Sequence, residues 1–213
     1  VGTYQNLIKK VENKEISFKD VTSVNLDEYV GLDISHDQSY RYFMNDNLFN
    51  HINIDKANTH VPCGSADVDP EISSKEYDAA LDNCGGIDIQ ILGIGENGHI
   101  AFNDPPVADF DDPALIKPVK LDDKCRMQQV HDGCFATFDD VPEYALTLTV
   151  PALMAGKKLF CAVPYATKAA AITEMLTTDN VFSEKVQDFK HLLTQQHLRF
   201  TDCLHVGGAN ANG

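Results

Sequence analysis

The sequence predicts an α/β domain of three layers, a mainly parallel open sheet flanked by helices. Strand-like runs rich in β-branched residues alternate with segments of helical apolar spacing. The composition is that of a globular chain, 43% hydrophobic and 23% charged over 213 residues. One strand-like run, 87–92, leads into a turn carrying Gly93, Gly95 and Gly98, and such a junction is where open α/β sheets place their ligands.

In chain order, apolar residues at helical spacing over 4–11 predict a helix. Residues 21–26 predict a strand that ends at Asp27 and Glu28. Residues 39–49 predict a helix with Tyr40, Phe43, Met44 and Leu48 on one face. Residues 59–69 read as loop, and 70–83 as a helix with Tyr77, Ala80 and Leu81 inward. After strand 87–92 and its turn, 105–117 is rich in proline and aspartate with little periodicity, the composition of a surface flap. Strand 145–150 runs into helical 151–155, then strand 158–163 and helix 167–175. The terminal Ala-Asn-Ala-Asn-Gly is expected to fray. No repeat interrupts this order, so one domain is expected over 1–213.

Charge narrows the function classes. The formal net charge of −15 opposes nucleic acid and anionic membrane surfaces, so neither is expected as a partner. An anionic ligand would need a local cluster of donors. No run of about 18 apolar residues is present, so no transmembrane helix is expected, and no signal peptide is visible. The six cysteines form no Cys-x-x-Cys pair, which argues against a zinc site or a disulfide scaffold and for reduced thiols in a cytoplasmic protein. His191, His197 and His205 lack metal-ligand spacing, and residues 109–112 read as a solvated acidic loop. No metal or cofactor is expected.

The chemistry concentrates in Leu92-Gly93-Ile94-Gly95-Glu96-Asn97-Gly98-His99-Ile100-Ala101-Phe102-Asn103-Asp104-Pro105. Glycines permit a tight turn and close approach of backbone to a ligand. A histidine and a carboxylate at the end of that turn supply proton-transfer groups. A second segment, Val24-Asn25-Leu26-Asp27-Glu28-Tyr29-Val30-Gly31-Leu32, puts two carboxylates after a strand-like run.

Both strings resemble the signatures of the glucosamine-6-phosphate deaminases, also called isomerases. Gln38-Ser39-Tyr40, Phe43-Met44, Val141-Pro142, Tyr144-Ala145-Leu146-Thr147 and Lys168-Ala169 follow in the family's order, and the resemblance runs from about Thr22 to about Ala171. It implies a hydrolase and isomerase of amino-sugar metabolism and N-acetylglucosamine catabolism. The implied reaction converts glucosamine 6-phosphate and water into fructose 6-phosphate and ammonia without a metal. The implied partner is a phosphorylated amino sugar, and a homo-oligomer is compatible, because the family spans monomers to hexamers. In that family a strand, a helix and a Gly-Ser-Thr-Pro phosphate loop precede the part matched here, and this chain is expected to lack them.

The resemblance also implies roles. Asp27, expected just past a strand end, matches the base for the C2 proton. His99 matches the ring-opening histidine, and Asn97 and Asp104 match the groups that orient it. Asp104 stands where the family usually has glutamate. It is one methylene shorter, with roughly 1.5 Å less reach, so contact with His99 stands against the alternative of an aspartate that stabilises the turn before Pro105. Gly93, Gly95 and Gly98 would shape the substrate-binding loop. Lys168 matches a lysine on the substrate phosphate, at the start of an expected helix where dipole and ammonium both favour an anion. Arg126 is the nearest candidate for a second phosphate ligand, against the alternative of a surface arginine. Glu28 is either a substrate contact or a structural acceptor for neighbouring backbone. Tyr29, Phe102 and Phe135 could wall the pocket, although packing is the default for aromatics.

Two other functions compete. A non-catalytic sugar-phosphate sensor would need no proton shuttle, so retention of both Asp27 and His99 speaks against it. A 6-phosphogluconolactonase-like hydrolase shares the Gly-His element, but usually follows it with Ser-Leu-Phe-Pro.

Overall fold

The computed structural model describes residues 2–104, 107–163 and 166–177. They build an α/β fold in two compact units that interleave along the chain: the described residues of 2–86 with 114–148, and those of 87–113 with 149–177.

In the first unit, α1 (Gly2–Glu12) forms where helical spacing predicts it. It turns Tyr4, Leu7 and Ile8 onto a cluster of Met44, Leu48, Phe49 and Ile54. That cluster comes from α2 (Tyr40–Met44) and the wider turn that continues it over Asn45–Phe49. The expected helix over 39–49 is therefore helical throughout, but its second half is wound with i→i+5 bonds. Ser39 caps the start, accepting from the Tyr42 N–H. Helix α3 (Pro70–Asn83) opens on an aspartate cap, Asp69, and a proline in its first turn, as the sequence signals for a helix start require.

Two sheets belong to this unit. Strand β1 (Ser23–Val24) pairs in parallel with β3 (Thr59–His60). The Tyr77 hydroxyl on α3 ties that pair together, donating to Asn25 O at 2.8 Å and His60 O at 3.2 Å. Strand β2 (Asp27–Tyr29) pairs antiparallel with β6 (Tyr144–Leu148), which pairs antiparallel with β5 (Ile116–Lys120). Ala145, Leu146, Thr147 and Leu148 are fully buried. Helix α3 packs on β5, and α2 against β2. Helix α4 (Asp123–His131) follows β5.

Three expectations need correction. Asp27 does not trail a strand: it opens β2, opposite Thr147, because the chain breaks at Asn25–Leu26 and starts a new pairing. The stretch 59–69 is not all loop, since Thr59 and His60 form β3. The flap expected over 105–117 ends two residues early, where Ile116 enters β5 and its N–H bonds Asp78 Oδ1 at 3.1 Å.

In the second unit, β4 (Ile89–Leu92) pairs in parallel with β7 (Lys158–Cys161), in the register Ile89–Lys158 to Leu92–Cys161. Helix α5 (Val150–Met154), capped by the Thr149 side chain, precedes β7, and α6 (Ala169–Thr177) follows it. Strand β4 alternates, with Gln90 and Leu92 buried and Ile89 and Ile91 exposed. Gly156 packs so closely on Gln90 and Leu159 that a side chain there would displace them. The expected terminal fraying, and His191, His197 and His205, fall outside the described residues.

Candidate active site

Strand β4 ends at Leu92 and delivers the glycine turn. Its three glycines are not equivalent. Gly98 adopts φ +89°, a left-handed conformation that favours glycine. A Cβ on Gly95 would collide with the His99 imidazole. The turn is closed by Gly95 N–H donating to His99 O at 2.8 Å and Gly98 N–H to Gly95 O at 3.1 Å. Gly93 faces open space.

This turn assembles three side chains. His99 Nδ1 lies 2.6 Å from Asn97 Oδ1 and 2.9 Å from Asp104 Oδ1. The Asn97 amide nitrogen donates to Asp104 Oδ1 at 2.7 Å. That bond orients the amide so that its oxygen faces the ring. Nδ1 therefore meets two acceptors and carries the proton, which leaves Nε2 as the basic nitrogen. Of the two alternatives for Asp104, the geometry shows direct contact with His99 despite the shorter side chain. The backbone supplies the missing reach: Ala101 takes a positive φ of 52° and the Asn103 N–H bonds Ile100 O at 3.2 Å, turning the chain back toward the histidine. Asp104 is buried, while the His99 side chain keeps 16% of its surface accessible. Phe102 is buried packing.

In the other unit, Asp27 keeps partial access to solvent in a setting that pushes its carboxyl up to about 7. Burial among protein atoms is the main cause, and the neighbouring Glu28 charge adds to it. Glu28 is buried, and protein donors occupy both of its oxygens. Oε1 accepts from the Tyr29 and Tyr40 N–H groups, each at 2.9 Å. Oε2 accepts from the Ser39 hydroxyl at 2.9 Å and the Arg41 N–H at 3.0 Å. The Tyr29 and Tyr40 rings are 5.3 Å apart, and Phe135 meets Tyr29 edge-on at 5.7 Å. Burial drives both tyrosine hydroxyls above their ordinary range, and the Asp27 charge pushes the same way.

Arg126 is not a surface arginine. It is buried, its guanidinium 4.0 Å from the Phe138 ring centroid, and Nη2 donates to Phe138 O at 3.1 Å and Val141 O at 2.7 Å. It ties α4 to the turn before β6 and borders a cleft of about 520 Å³ that also includes Val30, Leu32 and Pro142. Lys168 ends the short turn Ala166–Lys168 directly ahead of α6 and is partly buried. Among the described residues there is no cluster of histidine, cysteine or carboxylate suited to a metal ion. Sequence reasoning overlooked Tyr40 and Ser39 as neighbours of Asp27 and Glu28. The order Gln38-Ser39-Tyr40 was visible, but nothing local joins it to β2.

The family model for glucosamine-6-phosphate isomerases/6-phosphogluconolactonase matches residues 1–190. A glucosamine-6-phosphate deaminase of Clostridium perfringens is 46% identical over 178 residues, covering 83% of this chain and 71% of the relative. One from Clostridioides difficile is 42% identical over 173 residues, covering 81% and 67%. A solved structure of a monomeric glucosamine-6-phosphate deaminase superposes with a TM-score of 0.81 at 34% identity, covering 90% of this chain and 76% of that one. The 6-phosphogluconolactonase of Thermotoga maritima shares the fold, with a TM-score of 0.60 at 20% identity over 79% of this chain and 68% of that one. A site built on a glycine turn after β4 and matches of this extent lead to one conclusion: the chain belongs to the glucosamine-6-phosphate isomerase/6-phosphogluconolactonase family.

Proposed function

We propose that this chain is a glucosamine-6-phosphate deaminase, converting glucosamine 6-phosphate and water into fructose 6-phosphate and ammonia. The observation that carries the reading is the Asn97–His99–Asp104 constellation, which holds the proton on Nδ1 and presents Nε2 as a base.

His99 Nε2 takes the proton from the C1 hydroxyl of the closed sugar and returns it to the ring oxygen, opening the ring. Asp104 stabilises the imidazolium that forms between those events, and Asn97 holds the ring plane. Asp27 then removes the C2 proton of the open aldehyde. With a carboxyl near 7 it is ionised enough to act as a base and basic enough to attack a carbon acid. Reprotonation at C1 gives the C2 imine, and water hydrolyses it to the ketose and ammonia. Lys168 contributes a cation for the phosphate, at the start of α6. Gly93 admits the sugar close to the backbone, while Gly95 and Gly98 shape the substrate loop by leaving room for the His99 ring and taking the left-handed turn. Glu28 and Arg126 serve the architecture, since their hydrogen bonds go to protein groups. Residues 1–213 act as one sugar-phosphate isomerase-like domain.

Cleavage of a C–N bond by water makes the enzyme a hydrolase, and its substrate belongs to N-acetylglucosamine catabolism. Cys63, Cys84, Cys125, Cys134 and Cys161 carry thiols rather than disulfides, which supports a cytoplasmic location. The test is ammonia release from glucosamine 6-phosphate, run beside hydrolysis of 6-phosphogluconolactone. Ammonia release lost in His99→Gln supports the reading. Lactone hydrolysis without ammonia, or substrate binding without either turnover, overturns it.

A further inference from the structure

Glu28 spends its whole accepting capacity on one task. Its carboxylate, 3% exposed, gathers Tyr29 N–H, Tyr40 N–H, Arg41 N–H and the Ser39 hydroxyl, all within 3.0 Å. Three of these donors belong to the entry of α2, where N–H groups have no partner within the helix. The same turn is held from its other end, because the Arg41 guanidinium donates to Thr59 Oγ1 and Thr59 O, each at 2.9 Å. Successive residues of a strand face opposite sides, so Glu28 leaves β2 away from the side that carries Asp27 and Tyr29. Its reach to the catalytic side is indirect. Fixing the Tyr40 backbone fixes its ring, which packs on Tyr29 and shares a hydroxyl hydrogen bond with it.

We propose that Glu28 is a positioning residue for the Asp27 base: its buried carboxylate clamps the first turn of α2 to β2 and so sets the Tyr29–Tyr40 wall beside Asp27. This inference rests on the reading of Asp27 as the base. A glutamine cannot replace the carboxylate, because its NH₂ would face donors on one of the two sides. Glu28 also acts through its charge. Among the described residues, the ionisable groups around Asp27 include Glu28 and Tyr29 on its own strand, Tyr40 from α2, Tyr77 from α3 and, two strands across in register, Lys117 of β5. Glu28 is the like charge that raises the Asp27 carboxyl, so removing it shifts the acid limb of turnover toward lower pH.

The experiment is steady-state deamination against pH for the full chain and for Glu28→Gln, Ser39→Ala and Asp27→Asn, with rates referred to folded protein. Glu28→Gln is expected to lower kcat about 10- to 100-fold with KM nearly unchanged, since small displacements of a base cost that much. Its acid limb moves to lower pH. Ser39→Ala removes one donor and keeps the charge, and is expected to lower kcat by a smaller factor with the limb in place; this variant carries the test if Glu28→Gln does not fold. Wild-type kcat per folded molecule in both variants overturns the proposal, as does an unmoved limb in a folded Glu28→Gln. Normal turnover in Asp27→Asn instead removes the base reading itself. An inactive Asp27→Asn beside a normal Glu28→Gln removes only the positioning role.

Discussion

Asp104 shows how a side-chain length mismatch is absorbed by backbone. Its carboxylate reaches His99 at 2.9 Å because the chain turns back at Ala101 and Asn103, a path that no count of methylenes reveals. Asp104→Glu is therefore expected to reduce activity, since a longer acid must be accommodated in a closed site. Asp104→Asn keeps the shape and removes the charge, and should lower kcat by about 100-fold with little change in KM. Steady-state kinetics checks both, and unaltered turnover in Asp104→Asn would free the carboxylate from the ring-opening step. At Asp27 the sign of the titration sets two outcomes. A carboxyl raised to about 7 favours the folded state fully below its unfolded value, and that contribution is lost as pH rises through 7. Asp27→Asn should thus abolish turnover and, at about pH 8, stabilise the fold by on the order of 2 kcal/mol, readable as a higher denaturant midpoint. In the wild type, kcat/KM should rise with pH through an acid limb near 7. The Asn97–His99 contact was legible because both residues stand in one contiguous motif string. The acceptor role of Glu28 had been visible only as one of two options, because its partners Ser39, Tyr40 and Arg41 are 11 to 13 positions away.

At the scale of elements, legibility followed periodicity and end signals. Helix α3 announces itself with Asp69, Pro70 and an inward Tyr77 and Leu81. Strand β4 does so with β-branched residues and the glycines after it. Helix α4, Asp-Lys-Cys-Arg-Met-Gln-Gln-Val-His, has no apolar stripe, and only Cys125 and Arg126 are buried in it. It is held by an aspartate cap and by the guanidinium bonds of Arg126, which are tertiary facts. Strand β2 reads Asp-Glu-Tyr and is a strand because β6 offers it an edge. The turn over Asn45–Phe49 is stabilised from outside, by the apolar face of α1. Phe49, 1% exposed at the centre of that contact, is its keystone. Phe49→Ala should cost about 3–5 kcal/mol by chemical denaturation, from lost burial plus the cavity left behind. A loss below about 1 kcal/mol would mean that α1 contributes little to this unit.

Over the whole molecule, charge opposes compaction. A net charge of −15 on 213 residues repels itself, and salt screens that repulsion. Tm should rise by roughly 3 °C between about 0.02 M and about 0.3 M NaCl, and a fall would show that attractive pairs dominate instead. No described helix is long and apolar enough to cross a membrane. The interleaving of the two units has a consequence for anyone dividing the gene. The backbone passes between them at 86–87, 113–114 and 148–149, so no single scission releases either as an uninterrupted polypeptide. Ending translation at 148 would strand β4 without its parallel neighbour β7, which the ribosome makes some seventy codons later. A working half-molecule would demand excision of an internal stretch and a synthetic splice, and a nascent chain must wait for its distal portion before that sheet can close.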